Sequence, residues 1–300
     1  MKKGLLIIVS LFILTTGCKT DETRFVFEHV HIPSVIQDKA EQREYLSHHF
    51  WDNMPWNDST VNINEKDIRQ PYYEYLSVIN GLGLSKAQDR LSELAEKTSN
   101  SSKDISESFL SLFEESLDHP NSPMRQEKLY ISVIEVYIKN LDESNPAKNK
   151  LLWDRDLLIK NRIGDLAEDF QIVFYNGPVQ SLHSILSDYT LIFFFEPDCS
   201  VCKESINYAN NSQAINIFKD RYQIIAIYTG QDISSYEKVA HSFPAGWKVG
   251  QDLNNTITVK RLYDRRASPS VYILDKDKKV LMKDGDIKSA EELINIILTK

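Results

Sequence analysis

The sequence predicts two architectures in series: an all-α region over residues 25–160, then an α/β region over residues 161–300 built on a mixed central sheet with helices on both faces. Three observations predict this. Apolar residues recur at three- and four-residue steps throughout the first half, the spacing of helices that bury one face. Near Ile163 that pattern gives way to short apolar runs alternating with helical stretches, ending in a strand pair and a helix. Finally, Leu191-Ile-Phe-Phe-Phe195 is apolar at consecutive positions and leads into Cys199-Ser-Val-Cys202 and a further helical pattern. A strand apolar on every position is buried on both faces, as in the middle of a covered sheet.

In the first half the helical runs are Ala40 to Leu46, Tyr72 to Ile79, Ala87 to Ala95, Phe109 to Phe113 and Leu129 to Ile138. Pro55, Pro71, Gly81, Gly83, the polar run from Thr98 to Lys103, Pro120, Pro123 and Pro146 separate them, giving five or six helices with short connections. Pro71, just before an apolar run, fits the first helical turn, where proline forfeits no hydrogen bond. Tyr45, Trp51, Trp56, Tyr72, Tyr73 and Tyr75 read as core and rim rather than a ligand cage. Glu44, His48, His49 and Asp52 could share a helix face, but with no further His or Cys nearby they read as solvated or capping residues, not a metal site.

In the second half, Ile172 to Tyr175, Asn176-Gly177 and Val179 read as a hairpin, Asn-Gly being a strong turn signal. Ser181 to Leu186 reads as a short helix and Thr190 to Phe195 as a buried strand. A helix from Cys199 to about Asp220 follows, then a second buried strand from Gln223 to Tyr228 and a helix from Ser234 to about His241. Val271 to Leu274 and Val280 to Met282 pair through Asp275-Lys-Asp-Lys278, and Ser289 to Leu298 closes the chain as an amphipathic helix.

The extreme N-terminus has a different character. Met1-Lys2-Lys3 precedes an apolar run from Leu5 to Leu14 and then Thr15-Thr16-Gly17-Cys18. A basic start, a short apolar core and small residues before a cleavage point describe a secretory signal over residues 1–17. The run is about half the ~20 residues a membrane-spanning helix needs. Cys18 after small residues resembles the lipobox of bacterial lipoproteins, with Thr15 where that pattern prefers Leu. The resemblance implies that Cys18 is lipidated and that residues 18–24 tether the folded part. Lys19-Thr20-Asp21-Glu22 lacks the Asp directly after the cysteine that retains lipoproteins in the inner membrane of enteric bacteria, so an outer-membrane anchor facing the periplasm is expected. A basic residue followed by acids also resembles the export tag of surface lipoproteins in Bacteroidetes-type bacteria, which leaves cell-surface exposure open. The formal charge of −8 argues against nucleic acid as a partner, since phosphate binding needs clustered Lys and Arg.

Cys199-x-x-Cys202 at the junction of strand and helix is the sequence form of a thiol–disulfide active site. The helix start favours a thiolate at Cys199, because unpaired N–H groups and the positive dipole end point at it. Around this pair the chain resembles the thioredoxin-fold domains of TlpA/ResA-type thiol–disulfide oxidoreductases. Four landmarks carry the resemblance in order: Gly164-Asp165-x-Ala167-x-Asp169-Phe170, with Glu168 where proline is usual; Phe193 to Cys202; Ser268-Pro269-Ser270 to Asp275; and Gly285 before the last helix. Glu44-Tyr45-Leu46-x-x-His49-Phe50-Trp51-Asp52 similarly resembles an uncharacterised helical domain found ahead of thioredoxin domains in Bacteroidetes-type lipoproteins.

The thioredoxin resemblance implies that Cys199 is the exposed nucleophile and Cys202 the buried resolving thiol. It also implies a cis Ser268–Pro269 bond that orients substrate, with the Ser268 backbone binding it. No cofactor or metal is implied: His183 and His241 could join cysteines as ligands only in the copper-delivering relatives, which carry three residues between their cysteines. Glu196 stands where peroxiredoxins need Thr or Ser, which argues against peroxidase chemistry. Two departures bear on function. Ser200-Val201 replaces the familiar intervening pairs, and Phe193 takes the place of the buried acid that helps deprotonate the resolving thiol, leaving Glu196 as the candidate proton shuttle.

The function expected is that of a lipid-anchored envelope oxidoreductase acting on envelope proteins with cysteines or disulfides and recharged, if it is a reductant, by a membrane thiol donor. The alternative is a thioredoxin-fold binding or scaffold lipoprotein whose disulfide is structural.

Overall fold

The computed structural model describes residues 23–56, 58, 61–217 and 220–299. The signal segment 1–17 and Cys18 lie outside the described residues. Two short parallel strands, β1 (Thr23–Arg24) and β2 (Val61–Asn62), flank the first helix, α1 (Lys39–His49). Then follow α2 (Glu65–Asn80), α3 (Leu84–Ser99), α4 (Lys103–Phe113), α5 (Glu127–Asn140) and α6 (Pro146–Leu158). Asp38 starts α1, Ser102 starts α4 and Asn145 starts α6, each side chain accepting a backbone N–H of the first turn.

Pro71 corrects the sequence reading. It lies in the interior of α2, because Asn64 and Asp67 form a reciprocal capping box that starts the helix at Glu65, six residues earlier. Pro71 is itself buried, so the apolar ring packs on the core side of the helix.

The helical core is aromatic. Tyr72, Phe109, Phe113, Tyr130 and Tyr137 are fully buried, and Tyr72 meets Phe113 edge-on at 5.5 Å between centroids. Burying each such ring is worth roughly 1.5–3 kcal/mol. Trp51 and Tyr75 belong to this core, while Trp56 and Tyr73 pack at its margin. Glu44, His48, His49 and Asp52 divide into surface pairs: His49 Nδ1 lies 2.7 Å from Asp52, and Glu44 pairs with Lys86 at 2.8 Å and His48 at 3.6 Å. Beyond Phe113, α4 ends in one π-helical turn, Glu114–Asp118, which turns Asp118 away from the helical core surface toward the second half of the chain.

The second half is one seven-stranded mixed sheet in the order β4-β3-β7-β6-β5-β8-β9. Its elements are β3 (Gln171–Phe174), β4 (Val179–Ser181), β5 (Tyr189–Phe195), α7 (Ser200–Asn211), α8 (Gln213–Ile217), β6 (Tyr222–Tyr228), α9 (Ile233–Ala240), β7 (Lys248–Asp252), α10 (Thr256–Val259), β8 (Ser270–Asp275), β9 (Val280–Gly285) and α11 (Ile287–Leu298). β5 runs parallel to β6 and antiparallel to β8. Its side chains alternate between faces. Leu191, Phe193 and Phe195 join α7, α9 and α11 in one core; Ile192 and Phe194 join Ile257, Tyr263 and Tyr272 in the other. An α/β region with helices on both faces of a mixed sheet, preceded by an all-α region, is the architecture the sequence predicts.

Three details differ from that prediction. The helix after the cysteines stops at Asn211 and resumes at Gln213, because the Ser212 hydroxyl accepts the Ile215 N–H and starts a new helix. The segment after β4 is a single 3-10 turn, Leu182–Ser184, rather than a helix to Leu186. The strand β7 carries no sequence signature, since Gly250 interrupts it. The glycine is required because it pairs with Phe174 on β3, and a Cβ there would come within 2.5 Å of Ile172 Cγ2.

The halves are joined through a fixed connection. Asn161, buried at φ 51°, donates to Leu262 O at 2.6 Å and accepts the Glu168 N–H at 2.8 Å. Lys283 Nζ donates to Leu158 O at 2.7 Å, and the Arg261 guanidinium stacks over Trp153 at 4.0 Å.

Candidate active site

The end of β5 delivers the chain to the cysteines. After Phe195 the segment Glu196-Pro197-Asp198 turns, with the Cys199 N–H donating to Glu196 O at 3.2 Å. Cys199 is the N-cap of α7, and its sulfur accepts the Cys202 backbone N–H at 2.9 Å. The position gives a sulfur what a serine or aspartate cap would receive: a free N–H and the positive end of the helix. Cys199 and Cys202 are paired as a disulfide, with Cα atoms 5.2 Å apart. Cys202 is 1% exposed and packs in the same core as Phe193 and Phe195, whereas Cys199 is partly open to solvent. Only one of the two sulfurs is therefore accessible to a partner.

The β5–β8 register places a second loop against this pair. Phe194 is opposite Ser270, so the residues just before β8 run alongside the end of β5 toward Cys199. The Ser268–Pro269 peptide there is cis. Ser268 Oγ lies 3.4 Å from Cys202 Sγ and 3.7 Å from Cys199 Sγ, and Ser268 O lies 3.8 Å from Cys199 Sγ. Pro269 is buried and Ser268 exposed, with the Ser268 carbonyl beside the more accessible sulfur.

Behind the sulfurs the wall is aromatic. Phe195 packs on Phe243 at 4.8 Å and Phe193 meets Trp247 at 5.6 Å. Phe193 is fully buried, so no carboxyl occupies that position beneath Cys202. Glu196 is exposed on the turn just before Cys199. Among the described residues its carboxyl makes no hydrogen bond to either cysteine; its electrostatic neighbour is Arg265. Partial desolvation pushes the Glu196 carboxyl above its ordinary value, and Arg265 opposes this. Arg265 in turn donates to Thr229 Oγ1 and, at 3.0 Å, to Thr258 Oγ1. His183 is engaged elsewhere, its Nε2 lying 2.8 Å from Ala167 O. Among the described residues no three His, Cys, Asp or Glu side chains gather as a metal site.

Sequence reasoning did not single out the charged cluster that holds this loop from behind. Asp264 and Arg266 precede Ala267-Ser268-Pro269 directly. Arg266 Nη2 donates to Asp118 Oδ1 of the helical half at 2.9 Å and to Asp264 Oδ2 at 2.8 Å. Arg125, between the π turn and α5, donates to Asp264 at 3.0 Å, to Asp284 at 2.6 Å and to the Asp118 carbonyl at 3.2 Å. Tyr272 OH donates to Asp264 O at 2.9 Å. Burial pushes the Asp264 carboxyl up, but the hydrogen bonds and charge of Arg266, with Arg125, outweigh it and hold Asp264 at about 2. Asp284, sharing Arg125 with that anion, is pushed up to about 6 by burial, against Arg125. In the sequence, Asp264-Arg-Arg266 reads as an ordinary solvated loop; only the distant residues Asp118 and Arg125 reveal its use.

Compared with solved structures, the chain is similar to a thioredoxin-like protein from Bacteroides caccae ATCC 43185, at 29% identity and a TM-score of 0.81, over 90% of this chain and 98% of that one. The α/β half has a thioredoxin-like fold. The thioredoxin-like half is also similar to the C-terminal domain of an uncharacterized protein from Bacteroides fragilis NCTC 9343, at 33% identity over 45% of this chain and 97% of that one, with a TM-score of 0.44. A further likeness is to the thioredoxin domain of thiol-disulfide oxidoreductase BVU-2223 from Bacteroides vulgatus, at 18% identity over 45% of this chain and 99% of that one, with a TM-score of 0.38. Residues 14–161 match the family model for a domain of unknown function, DUF5106, which spans the helical half. No curated protein matches the chain.

Proposed function

We propose that this protein is a thiol–disulfide oxidoreductase of the TlpA/ResA type, anchored by lipid at Cys18 in the cell envelope and exchanging disulfides with envelope proteins. The observation that carries the reading is the asymmetric pair: Cys199 partly open and capping α7, Cys202 buried one turn on, and the cis Ser268–Pro269 loop against both sulfurs. In the reducing direction the Cys199 thiolate attacks a partner disulfide, forming a Cys199–partner disulfide and releasing one partner thiolate. The Cys202 thiolate then attacks the Cys199 sulfur, closing the pair and releasing the second partner thiolate. The partner gains two electrons and the cysteine pair loses them, so a membrane thiol donor must reduce Cys199–Cys202 for another turnover; as an oxidant the protein runs the same steps backward. Ser268 supplies backbone hydrogen-bonding groups to an extended partner segment and Pro269 shapes that surface.

The lipobox-like residues before Cys18 support the lipid anchor, and Lys19 in place of an Asp directly after it supports an outer-membrane placement, facing the periplasm or, if Lys19 to Glu22 acts as an export tag, the cell surface. Protease added to intact cells separates the two.

The decisive experiment is exchange with a peptide disulfide by the soluble protein lacking residues 1–18. Wild type turns over; Cys199→Ser loses turnover; Cys202→Ser accumulates the mixed disulfide. Undiminished activity in Cys199→Ser refutes the reading. The second reading, a binding or scaffold lipoprotein with a static disulfide, draws on Phe193, which puts no carboxyl at that buried position beneath Cys202, and on the Glu196 carboxyl making no hydrogen bond to either cysteine among the described residues. It predicts a pair that resists reduction below about −300 mV.

A further inference from the structure

The charged cluster behind the cis-proline loop crosses from one half of the chain to the other and ends two residues from Ser268. Asp118, on the π turn, is 2% exposed and Asp264 is 3% exposed, so these are buried anions whose cationic partners cannot be withdrawn without cost. Arg266 joins them with both arms of its guanidinium, a geometry that fixes orientation as well as distance. On the far side, Ser270 Oγ donates to Ala267 O at 2.6 Å, so the loop is tied down both before and after Ser268. In front, among the described residues, the side-chain hydroxyl against the two sulfurs is that of Ser268, at 3.4 and 3.7 Å. When the pair is reduced, a hydroxyl at that distance can donate to a thiolate, which a thiol does not require.

We propose that Asp118 and Arg125 of the helical half are positioning residues for the cysteine pair: through Arg266 and Asp264 they hold the Ser268 hydroxyl where it stabilises the reduced, thiolate form. The helical half thereby sets how readily the disulfide opens, rather than serving only as a tether or a partner-binding module. This deepens the exchange reading and rests on it only in needing a pair that can be reduced.

The test uses the soluble protein lacking residues 1–18 and reads the equilibrium between its cysteine pair and dithiothreitol. Asp118→Asn keeps the size of the side chain and removes the anion that Arg266 grips. It is expected to shift the equilibrium toward the disulfide by about fivefold, the change that loss of one hydrogen bond of ordinary strength brings. Asp118→Glu, which keeps the anion, is expected to hold the equilibrium close to that of wild type. Ser268→Ala should produce the same shift by itself, and the double variant Asp118→Asn, Ser268→Ala should match Ser268→Ala alone, since the two changes remove one interaction. Arg266→Lys, which keeps the charge but not the fork, serves if Asp118→Asn does not fold, and carries the same expectation. An equilibrium constant equal to wild type in the variants, with only the unfolding midpoint lowered, overturns the proposal, as does a double variant whose shifts add. A wild-type pair that dithiothreitol cannot open overturns the exchange reading first and this proposal with it; a reducible wild type with unmoved variants overturns this proposal alone.

Discussion

Reducing the disulfide should weaken the fold only slightly, and the limit follows from the geometry of the pair. Cys199 and Cys202 are three residues apart, so the bond closes a loop of about four residues. The chain-entropy relation for such a loop gives roughly 6 cal/mol/K, or ~2 kcal/mol at 25 °C, as the restraint the bond places on the unfolded chain. Little is lost on the native side, because Cys199 remains the N-cap and can still accept the Cys202 N–H, and Cys202 remains buried among Phe193 and Phe195. A thiolate at that cap gains from the helix terminus, which offsets part of the lost restraint. The expected difference between oxidised and reduced protein is therefore below ~2 kcal/mol. With a urea slope of about 1–3 kcal/mol/M, that is a midpoint shift of no more than ~2 M. The assay is urea unfolding with and without dithiothreitol, followed through tryptophan fluorescence, since Trp247 packs on Phe193 at 5.6 Å. A shift well beyond that limit would mean the bond holds native structure together as a staple, and would refute the argument that this is a pair built to open.

Other outcomes follow from the same structure. Tyr72→Phe removes a buried hydroxyl that lies 2.7 Å from Ser116 Oγ; because Ser116 still donates to Leu112 O, the cost should be about 1 kcal/mol, read from chemical unfolding, and a loss above about 3 kcal/mol would contradict it. Phe109→Ala opens a cavity in the fully buried aromatic core and should cost about 3–5 kcal/mol, visible as loss of helical circular dichroism on mild heating. Asp284 has its pKa raised to about 6 in the folded state, so its contribution is favourable below the unfolded value near 4 and is lost as pH rises through about 6. The advantage of wild type over Asp284→Asn should accordingly be larger near pH 4.5 than near pH 7.5; an equal advantage at both would show that Asp284 titrates normally.

Much of the fold could be read from residue order because local and global preferences agree there. β5 is recognisable because two covered faces demand apolar residues at every position, and α2 to α5 because a single core demands them at helical spacing. The reading failed where a residue serves a partner distant in sequence. Gly250 interrupts β7 to make room for Ile172 and Phe174, some 75 positions earlier. Pro71 looked like a helix start because its ring is usually tolerated only there, yet the Asn64–Asp67 box had already begun the helix. At the site, Cys199, Cys202, Ser268 and Pro269 converge, since strand register alone brings them together. Glu196 is adjacent to the pair in sequence, but its electrostatic neighbour Arg265 stands far along the chain, which residue order could not show. Asp118 and Arg125 were illegible because nothing local distinguishes a solvated acid or base from one that will be buried against a loop 140 residues on.

The buried connection at Asn161 and the Arg266 fork have a consequence for how this protein can be varied. A lineage cannot exchange its helical half for another as though it were a detachable module, because the incoming half must carry an acid and a base at the places of Asp118 and Arg125 or leave Asp264 and Arg266 with only each other. The piece that faces the sulfurs and the piece that lies far from them are, in this respect, a single heritable unit.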